Sequence, residues 1–138
     1  MAKHIFYDNS LVVNAVDLSD HVEDISLVAT TNKQMASAMG ELNDYNMPGT
    51  LALSDITATF YQDYASAKVY ATINAAWAAR TTFNIVMKPT SGAASATNPQ
   101  WTVPVFVSSM PVMSGKRGDR HMAPVTFTVA GAHSISAP

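Results

Sequence analysis

The sequence predicts a mainly β (α+β) fold, an antiparallel β-sandwich or partial barrel with one flanking α-helix. Several short segments alternate apolar with polar residues, which is the pattern of half-buried strands. One segment near the middle has apolar residues at helical spacing instead. Stretches rich in Gly, Pro, Ser and Asn separate these segments. The resulting order, β β β α β β β, suits this architecture in a single domain of 138 residues.

Three strands are predicted before the helix. Val12 to Val16 is short and β-prone, and Ile25 to Thr31 alternates with a period of two. The third strand is predicted from Thr50 to Tyr61. Its apolar residues change face near Ser54 and Asp55, which predicts a bulge there or burial on both faces.

Between the second and third strands, Asn32 to Thr50 is predicted to be one long connection. Gly, Pro, Asn and Asp are frequent in it, and structureless connections of this length tend to be functional. It also carries five large apolar or aromatic side chains, those of Met35, Met39, Leu42, Tyr45 and Met47. A solvent-facing loop has no use for such side chains, so we expect the segment to dock on a partner.

The helix is predicted from Ser66 to Ala79. Asp63 or Ser66 is expected to accept hydrogen bonds from its first N–H groups, and Arg80 suits its negative C-terminal end. A stripe of side chains four residues apart is predicted to face the core: Val69, Ile73 and Trp77.

Three further strands follow, at Phe83 to Met87, Trp101 to Val107 and Val125 to Val129. Pro104 cannot donate a ladder hydrogen bond, so the middle strand of the three is predicted to lie at a sheet edge or to be locally distorted. The stretch from Met110 to Met122 is predicted to be a turn around a centre rich in Gly and basic residues.

Charge is divided between the two halves of the chain. Residues 1–63 hold nine acidic residues and two lysines, a net of −7, whereas residues 64–138 hold six basic residues and one aspartate, a net of +5. Such a division favours head-to-tail contact between copies if it becomes a division in space, although interleaved strands would mix the charges instead. Charged residues make up only 13% of the chain, which suggests a surface covered by partner subunits.

The sequence offers no pattern for an enzyme, a cofactor or a metal. The densest polar cluster, Asp17, Asp20, His21, Glu23 and Asp24, lacks the glycine and the ligand spacing of a calcium loop. No nucleophile elbow or phosphate loop is present, and scattered basic residues with a net charge of −2 argue against specific nucleic-acid binding. The absence of cysteine, signal-peptide core and membrane-length apolar run predicts a protein made in a reducing cytoplasm, with no membrane partner.

Four stretches occur in a characteristic order and spacing: Val13–Ser19, Ala58–Asp63, Phe83–Pro89 and Val125–Gly131. The region that carries this arrangement runs from about Leu11 to Gly131, with the helix between the second and the third stretch. In this arrangement the chain resembles the tail tube (major tail) proteins of long-tailed, siphovirus-type bacteriophages.

The resemblance implies a structural subunit that self-assembles into stacked, hexameric rings, a tube through which the genome passes into the host. It implies that residues 32–50 reach the neighbouring ring and that residues 1–10 form an inter-subunit arm. The implied partners are other copies of the chain, a tape measure protein and tail terminator and tip proteins. DNA would be only a non-specific cargo in the lumen, and the protein would reside in the virion tail after assembly in the host cytoplasm.

Four of the acidic residues are candidates for the lumen wall, where they would repel DNA, or for a ring face that meets the basic half of the next ring. They are Asp17, Asp20, Glu23 and Asp24. Two other functions stay open: another structural phage protein, such as a tail completion or capsid-decorating subunit, and a small-ligand-binding β-sandwich. In such a β-sandwich, four aromatic residues could line the ligand pocket, although their spacing on the helix and strands is more typical of core residues. They are Tyr70, Trp77, Phe83 and Trp101.

Overall fold

The computed structural model describes residue 5 and residues 7–136. Within this range the strands are β1 (Ser10–Val13), β2 (Val16–Asp17), β3 (Val22–Ser26), β4 (Ala29–Met35), β5 (Asn46–Leu53), β6 (Ile56–Tyr61), β7 (Phe83–Lys88), β8 (Gln100–Ser109), β9 (Met122–Val129) and β10 (Ser134–Ser136). A 3₁₀ turn, Ser19–His21, precedes β3, and the helix α1 is Val69–Ala79. Half of the predicted N-terminal arm, residues 1–4 and 6, lies outside the described residues.

Eight strands form the main antiparallel sheet, in the order β2-β1-β7-β8-β9-β6-β3, with β10 paired to β8 beyond the end of β9. Its two ends meet through the 3₁₀ turn, where the Leu11 N–H donates to the Ser19 hydroxyl over 2.8 Å. No strand pairing joins β3 to β1 or β2 in the described part of the chain, so the sheet is not a closed barrel. The mainly β prediction with a flanking helix is confirmed.

The core lies between the inner face of this sheet and α1. Alternate residues of five strands point inward and are buried: Leu11, Val13, Ile56, Ala58, Phe60, Phe83, Ile85, Val103, Val105, Val107, Ala123, Val125 and Phe127. Phe83 and Phe127 meet edge to face with their ring centroids 6.0 Å apart. Burial of each large apolar side chain contributes about 1.5–3 kcal/mol, so this face specifies the register of the sheet.

The prediction that residues 32–50 form a structureless loop is wrong, because both ends of this segment are strands of a β-hairpin. The second predicted strand, Ile25–Thr31, divides between β3 in the main sheet and β4 in the hairpin. β4 continues to Met35, and the chain returns from Asn46 as β5, which leaves residues 36–45 as a loop. The glycine and proline that suggested a loop are tolerated because both strands are edges: Pro48 pairs with Lys33, and Gly49 lies at a bulge. A Cβ on Gly49 would come within 2.8 Å of the Asn32 carbonyl oxygen.

The predicted strand Thr50–Tyr61 is two strands in two different sheets. Ser54 and Asp55 separate β5, in the hairpin, from β6, in the main sheet. The change of face predicted at this point therefore marks a passage between sheets. Ser54 forms two hydrogen bonds with Val28, each over 2.9 Å. The Ser54 N–H donates to the Val28 carbonyl oxygen, and the Val28 N–H donates to the Ser54 Oγ.

Pro104 lies inside the sheet, so the edge prediction for its strand is wrong. β8 has β7 on one side and both β9 and β10 on the other. The Pro104 carbonyl oxygen accepts from the Ala130 N–H over 2.8 Å, and N–H and C=O groups of one strand residue point to the same side. The missing donor therefore faces residues 130–133, where β9 has ended and β10 has not begun.

The helix begins later than predicted and ends at Ala79, as predicted. It begins at Val69 rather than Ser66, and no side chain caps its first turn, since the Asp63 carboxylate accepts from the Ala65 N–H in the preceding turn. Arg80 closes it in the left-handed conformation, with φ of 53°.

Trp77 does not belong to the core of the domain, contrary to the prediction. Its side chain is 53% exposed, whereas Val69, Thr72, Ile73 and Ala76 are buried. A step of four residues advances about 40° beyond one full helical turn. Two such steps carry the stripe from Val69 to Trp77 off the buried side of the helix.

Candidate assembly surfaces

The hairpin β4–β5 stands apart from the main sheet. Every residue of β4 and the first six of β5 are exposed, and the two strands pair only with each other within the described chain. A two-stranded hairpin is marginally stable in water when it packs on nothing. We therefore expect the hairpin to gain stability from contact with another surface.

The loop at the end of the hairpin, residues 36–45, is held in a defined shape and is called the tip below. The Tyr45 N–H donates to the Ser37 hydroxyl over 2.6 Å, and the Ala38 N–H donates to Glu41 Oε2 over 2.7 Å. Gly40 has φ of +92°, which is accessible to glycine at little cost. These bonds organise the tip before any contact is made, which lowers the entropy lost on binding.

The five side chains predicted to dock all lie on the hairpin and are at least half exposed: Met35, Met39, Leu42, Tyr45 and Met47. Met39 and Leu42, at the tip, are exposed as fully as in an extended chain. Met35 and Met47 lie on opposite faces, because Met35 pairs with Asn46 and Met47 with Gln34 one step along. The five therefore offer an apolar tip rather than one apolar stripe, and their docking stays a prediction.

A second exposed apolar surface lies where the end of α1 meets β8, and we call it the helix-end groove. Its volume is about 550 Å³, and its lining residues are Ala76, Trp77, Ala78, Arg80, Phe106, Val107 and Ser108. Phe106 points away from the core, since the buried side chains on either side of it are Val105 and Val107, and it is 39% exposed. Sequence reasoning missed this groove because it assigned Trp77 to the core.

The four candidate acids lie on both end strands of the main sheet and on the turn between them, and all are exposed. Asp17 is in β2, Asp20 in the 3₁₀ turn, and Glu23 and Asp24 in β3. They are not a free acidic face, because basic groups reach two of them. Arg120 lies 3.6 Å from Glu23 and also donates to the Tyr61 hydroxyl over 2.9 Å. The acidic and basic halves of the chain are thus partly mixed within one subunit.

His21 lies between two of these carboxylates. Its Nδ1 is 2.7 Å from Asp20 Oδ1 and its Nε2 is 2.9 Å from Asp63 Oδ2. Carboxylates only accept, so both ring nitrogens can donate only when the imidazole carries both protons. Burial alone lowers the pKa of His21, but the hydrogen bonds and charges of Asp20 and Asp63 together raise the pKa above its usual value.

The two carboxylates respond in the opposite direction. The hydrogen bond from His21 is the main cause that lowers the pKa of Asp20. The Ala65 N–H, followed by His21, lowers the pKa of Asp63. The sequence placed Asp63 only at the start of the helix; the antiparallel pairing of β3 with β6 brings it to His21, 42 positions away.

The four aromatic residues of the ligand-binding alternative do not line a common cavity. Trp77 lines the helix-end groove, and Trp101 lines a separate groove of about 350 Å³ beside Leu27, Leu53 and Met87. Phe83 is buried in the core, and Tyr70 packs on Tyr64 with ring centroids 5.0 Å apart.

In the part of the chain that the structure describes, no three His, Cys, Asp or Glu side chains are grouped so that they could hold a metal ion. Over the same residues, no helix is long and apolar enough to cross a membrane.

Comparison by sequence finds no relative, since no family model and no curated protein matches the chain. Comparison by structure finds similar folds. A chain of the virion of a native gene transfer agent particle has a TM-score of 0.76 at 10% identity, covering 98% of this chain and 100% of that one. A chain of the sheath/tube terminator structure of an extracellular contractile injection system (PVC), in the extended state, has a TM-score of 0.74 at 16% identity, covering 99% of each chain.

A third similar structure is the tail of an empty gene transfer agent particle, determined by helical refinement with C6 symmetry. Its TM-score is 0.66 at 9% identity, with coverage of 85% of this chain and 83% of that chain. All three likenesses extend over most of both chains. The chain therefore has the fold found in components of these phage-like tails, in agreement with its resemblance to tail tube proteins.

Proposed function

We propose that this chain is a structural, non-enzymatic subunit of a phage tail tube, present in the virion, that self-assembles into stacked hexameric rings and forms the conduit for genome delivery. The observation that carries the proposal is the hairpin β4–β5. None of its residues is buried in the core and only Leu53, the last residue of β5, packs against the core, yet it presents a preorganised tip with Met39 and Leu42 fully exposed. Such a segment is explained by a neighbouring subunit that covers it.

Two further observations support assembly. The fold is shared over nearly the whole chain with components of tail particles, one of them determined with C6 symmetry. Charged residues make up only 13% of the chain, fewer than a fully solvated surface usually carries. The resemblance adds the expected partners, which are a tape measure protein, terminator and tip proteins, and DNA passing without specific contact.

The test is electron microscopy and sedimentation of the purified chain beside a tip variant, Met39→Ser with Leu42→Ser. We expect the parent chain to form rings or tubes and the variant to remain monomeric with an unchanged circular dichroism spectrum. Val112→Ser is the matched control, since Val112 is equally apolar and 78% exposed but lies far along the chain from the hairpin. A parent chain that is monomeric at every concentration would contradict the proposal.

A tail terminator or completion subunit is the second candidate, because the likeness to the sheath/tube terminator structure of the contractile injection system covers 99% of both chains. A terminator closes a tube as one ring, whereas a tube protein repeats along it. Quantitative mass spectrometry of purified particles separates the two: hundreds of copies indicate the tube, and about one ring of copies indicates the terminator.

The salt dependence of assembly tests whether the acids lie on a ring face or on the lumen wall. These acids are Asp17, Asp20, Glu23 and Asp24. If they meet the basic half of the next ring, assembly should weaken sharply as ionic strength rises and the Debye length falls below about 8 Å. If they line a lumen that repels DNA, assembly should be nearly independent of salt. The pairing of Glu23 with Arg120 of its own chain favours the second outcome, because that basic group is already engaged.

A further inference from the structure

We propose that the helix-end groove of one copy is the receptor for the hairpin tip of another copy. This inference rests on the proposed self-assembly and specifies which two surfaces meet. Both surfaces are apolar and exposed in the single chain: Met39 and Leu42 on the tip, and Trp77 and Phe106 in the groove. The tip and the groove are different surfaces, so their contact is head to tail, and repetition of it generates rings or open filaments.

Size and flexibility suit the two surfaces to each other. The groove has a volume of about 550 Å³, which is within the range of pockets that hold small-molecule ligands and leaves room for apolar side chains of the tip. Methionine, with its unbranched and polarizable side chain, fills irregular grooves well. Trp77, which lines the groove, offers a large aromatic surface, and tryptophan is among the residue types that most often dominate binding energy at interfaces.

Charge is complementary as well. The tip, residues 36–45, contains Glu41 and Asp44 and no basic residue. Arg80 is the sole charged residue that lines the groove, and it forms no ion pair among the described residues. Glu41 is engaged by the Ala38 N–H within the tip, which leaves Asp44 as the carboxylate available to Arg80.

Disulfide trapping tests the contact directly, because the natural chain has no cysteine. Leu42→Cys and Ser108→Cys are made in separate chains, mixed in equal amounts under assembly conditions and oxidised mildly. A disulfide needs Cα atoms within about 7 Å, so a cross-linked pair of chains reports that tip and groove meet between copies. Leu42→Cys mixed with Val112→Cys is the control, since Val112 is exposed but lines no part of the groove.

We expect a cross-linked dimer in the first mixture and none in the control. Assembly without the Leu42–Ser108 cross-link, or with equal cross-linking to Val112, overturns this inference and leaves the proposed function intact. Failure of the parent chain to assemble overturns the proposed function and this inference together.

Charge exchange is an independent test. Arg80→Asn removes the charge with a side chain that tolerates the positive φ at this position, and should raise the concentration needed for assembly about tenfold, as for the loss of one charge-assisted hydrogen bond. Arg80→Asp should abolish assembly, and Arg80→Asp combined with Asp44→Arg should restore it. Normal assembly of Arg80→Asp, or a double variant no better than the single one, overturns the pairing.

Discussion

Nε2 of His21 lies 2.9 Å from Oδ2 of Asp63, and this contact ties the turn before β3 to the end of β6. The contact joins one end strand of the sheet to the segment that leads into α1. Because Asp20 holds the other ring nitrogen, the imidazole is fixed on both sides. The arrangement is built for a doubly protonated ring, so the stability of this corner depends on pH.

The raised pKa of His21 predicts stabilisation that is fully present below the unfolded-state pKa, near 6.5, and is lost as pH rises through the higher folded-state pKa. The lowered pKa values of Asp20 and Asp63 predict stabilisation that is present above about 3.8 and is lost as pH falls through the folded-state pKa values. We therefore expect His21→Gln to lower the melting temperature most between about pH 4 and 6.5, and much less at pH 9. Equal losses at pH 5.5 and pH 9 would show that the ring acts only by packing.

Gly49→Ala should distort the hairpin and spare the core. The added Cβ would lie 2.8 Å from the Asn32 carbonyl oxygen, a backbone atom that cannot move aside alone. We expect faster amide hydrogen exchange in β4 and β5 and weaker assembly, at a cost of about 1–3 kcal/mol to the hairpin. Gly92→Ala is the control, because its Cβ would meet only ordinary contacts, the nearest at 3.6 Å. Unchanged exchange in the hairpin of Gly49→Ala would refute the close approach.

Asn98→Ala should destabilise the loop between β7 and β8. The buried amide of Asn98 donates to the carbonyl oxygens of Gly92 and Ala93, each over 3.1 Å, and accepts from the Thr90 N–H over 3.0 Å. Loss of the amide leaves these backbone groups without partners, at a cost of about 1–3 kcal/mol in chemical unfolding. Thr97→Ala, an exposed neighbour, should change the unfolding free energy by less than about 0.5 kcal/mol.

Phe127 and Phe106 should respond in opposite ways to truncation. Phe127 is fully buried against Phe83, so Phe127→Ala should cost about 3–5 kcal/mol of unfolding free energy. Phe106 points outward into the helix-end groove, so Phe106→Ala should cost less than about 1 kcal/mol in the monomer while impairing assembly. Denaturant titration of monomeric samples measures both, and a large loss for Phe106→Ala would place it in the core.

The main sheet could be predicted because its strands have one buried face. Ile85, Val103 and Val105 alternate with outward residues, and that alternation is visible in the sequence. The hairpin could not be predicted in the same way, since both of its faces are exposed and no burial pattern marks its strands. Its glycine and proline are residue types that usually indicate a loop. In this hairpin, Gly49 instead allows the backbones of the two strands to lie close together.

The candidate surfaces were predictable only in part. The exposed apolar residues of the tip stood out in the sequence because a loop has no need of them. The exposure of Trp77 could not be predicted. A spacing of four residues predicts a stripe along the helix, but it does not show how far the end of that stripe turns away from the core. The contact of His21 with Asp63 depends on strand pairing across 42 positions, for which local sequence carries no signal.

Pro104 affects how β10 can separate from β8. It divides one side of β8 into two ladders, with β9 from Val105 onward and with β10 at Gln100–Thr102. Pro104 has no N–H to donate at the point where the two ladders meet. Loss of the β10 hydrogen bonds therefore need not disrupt those of β9. We therefore expect β10 to be a separate unit of local unfolding, which detaches and reattaches while the central strands of the sheet stay paired.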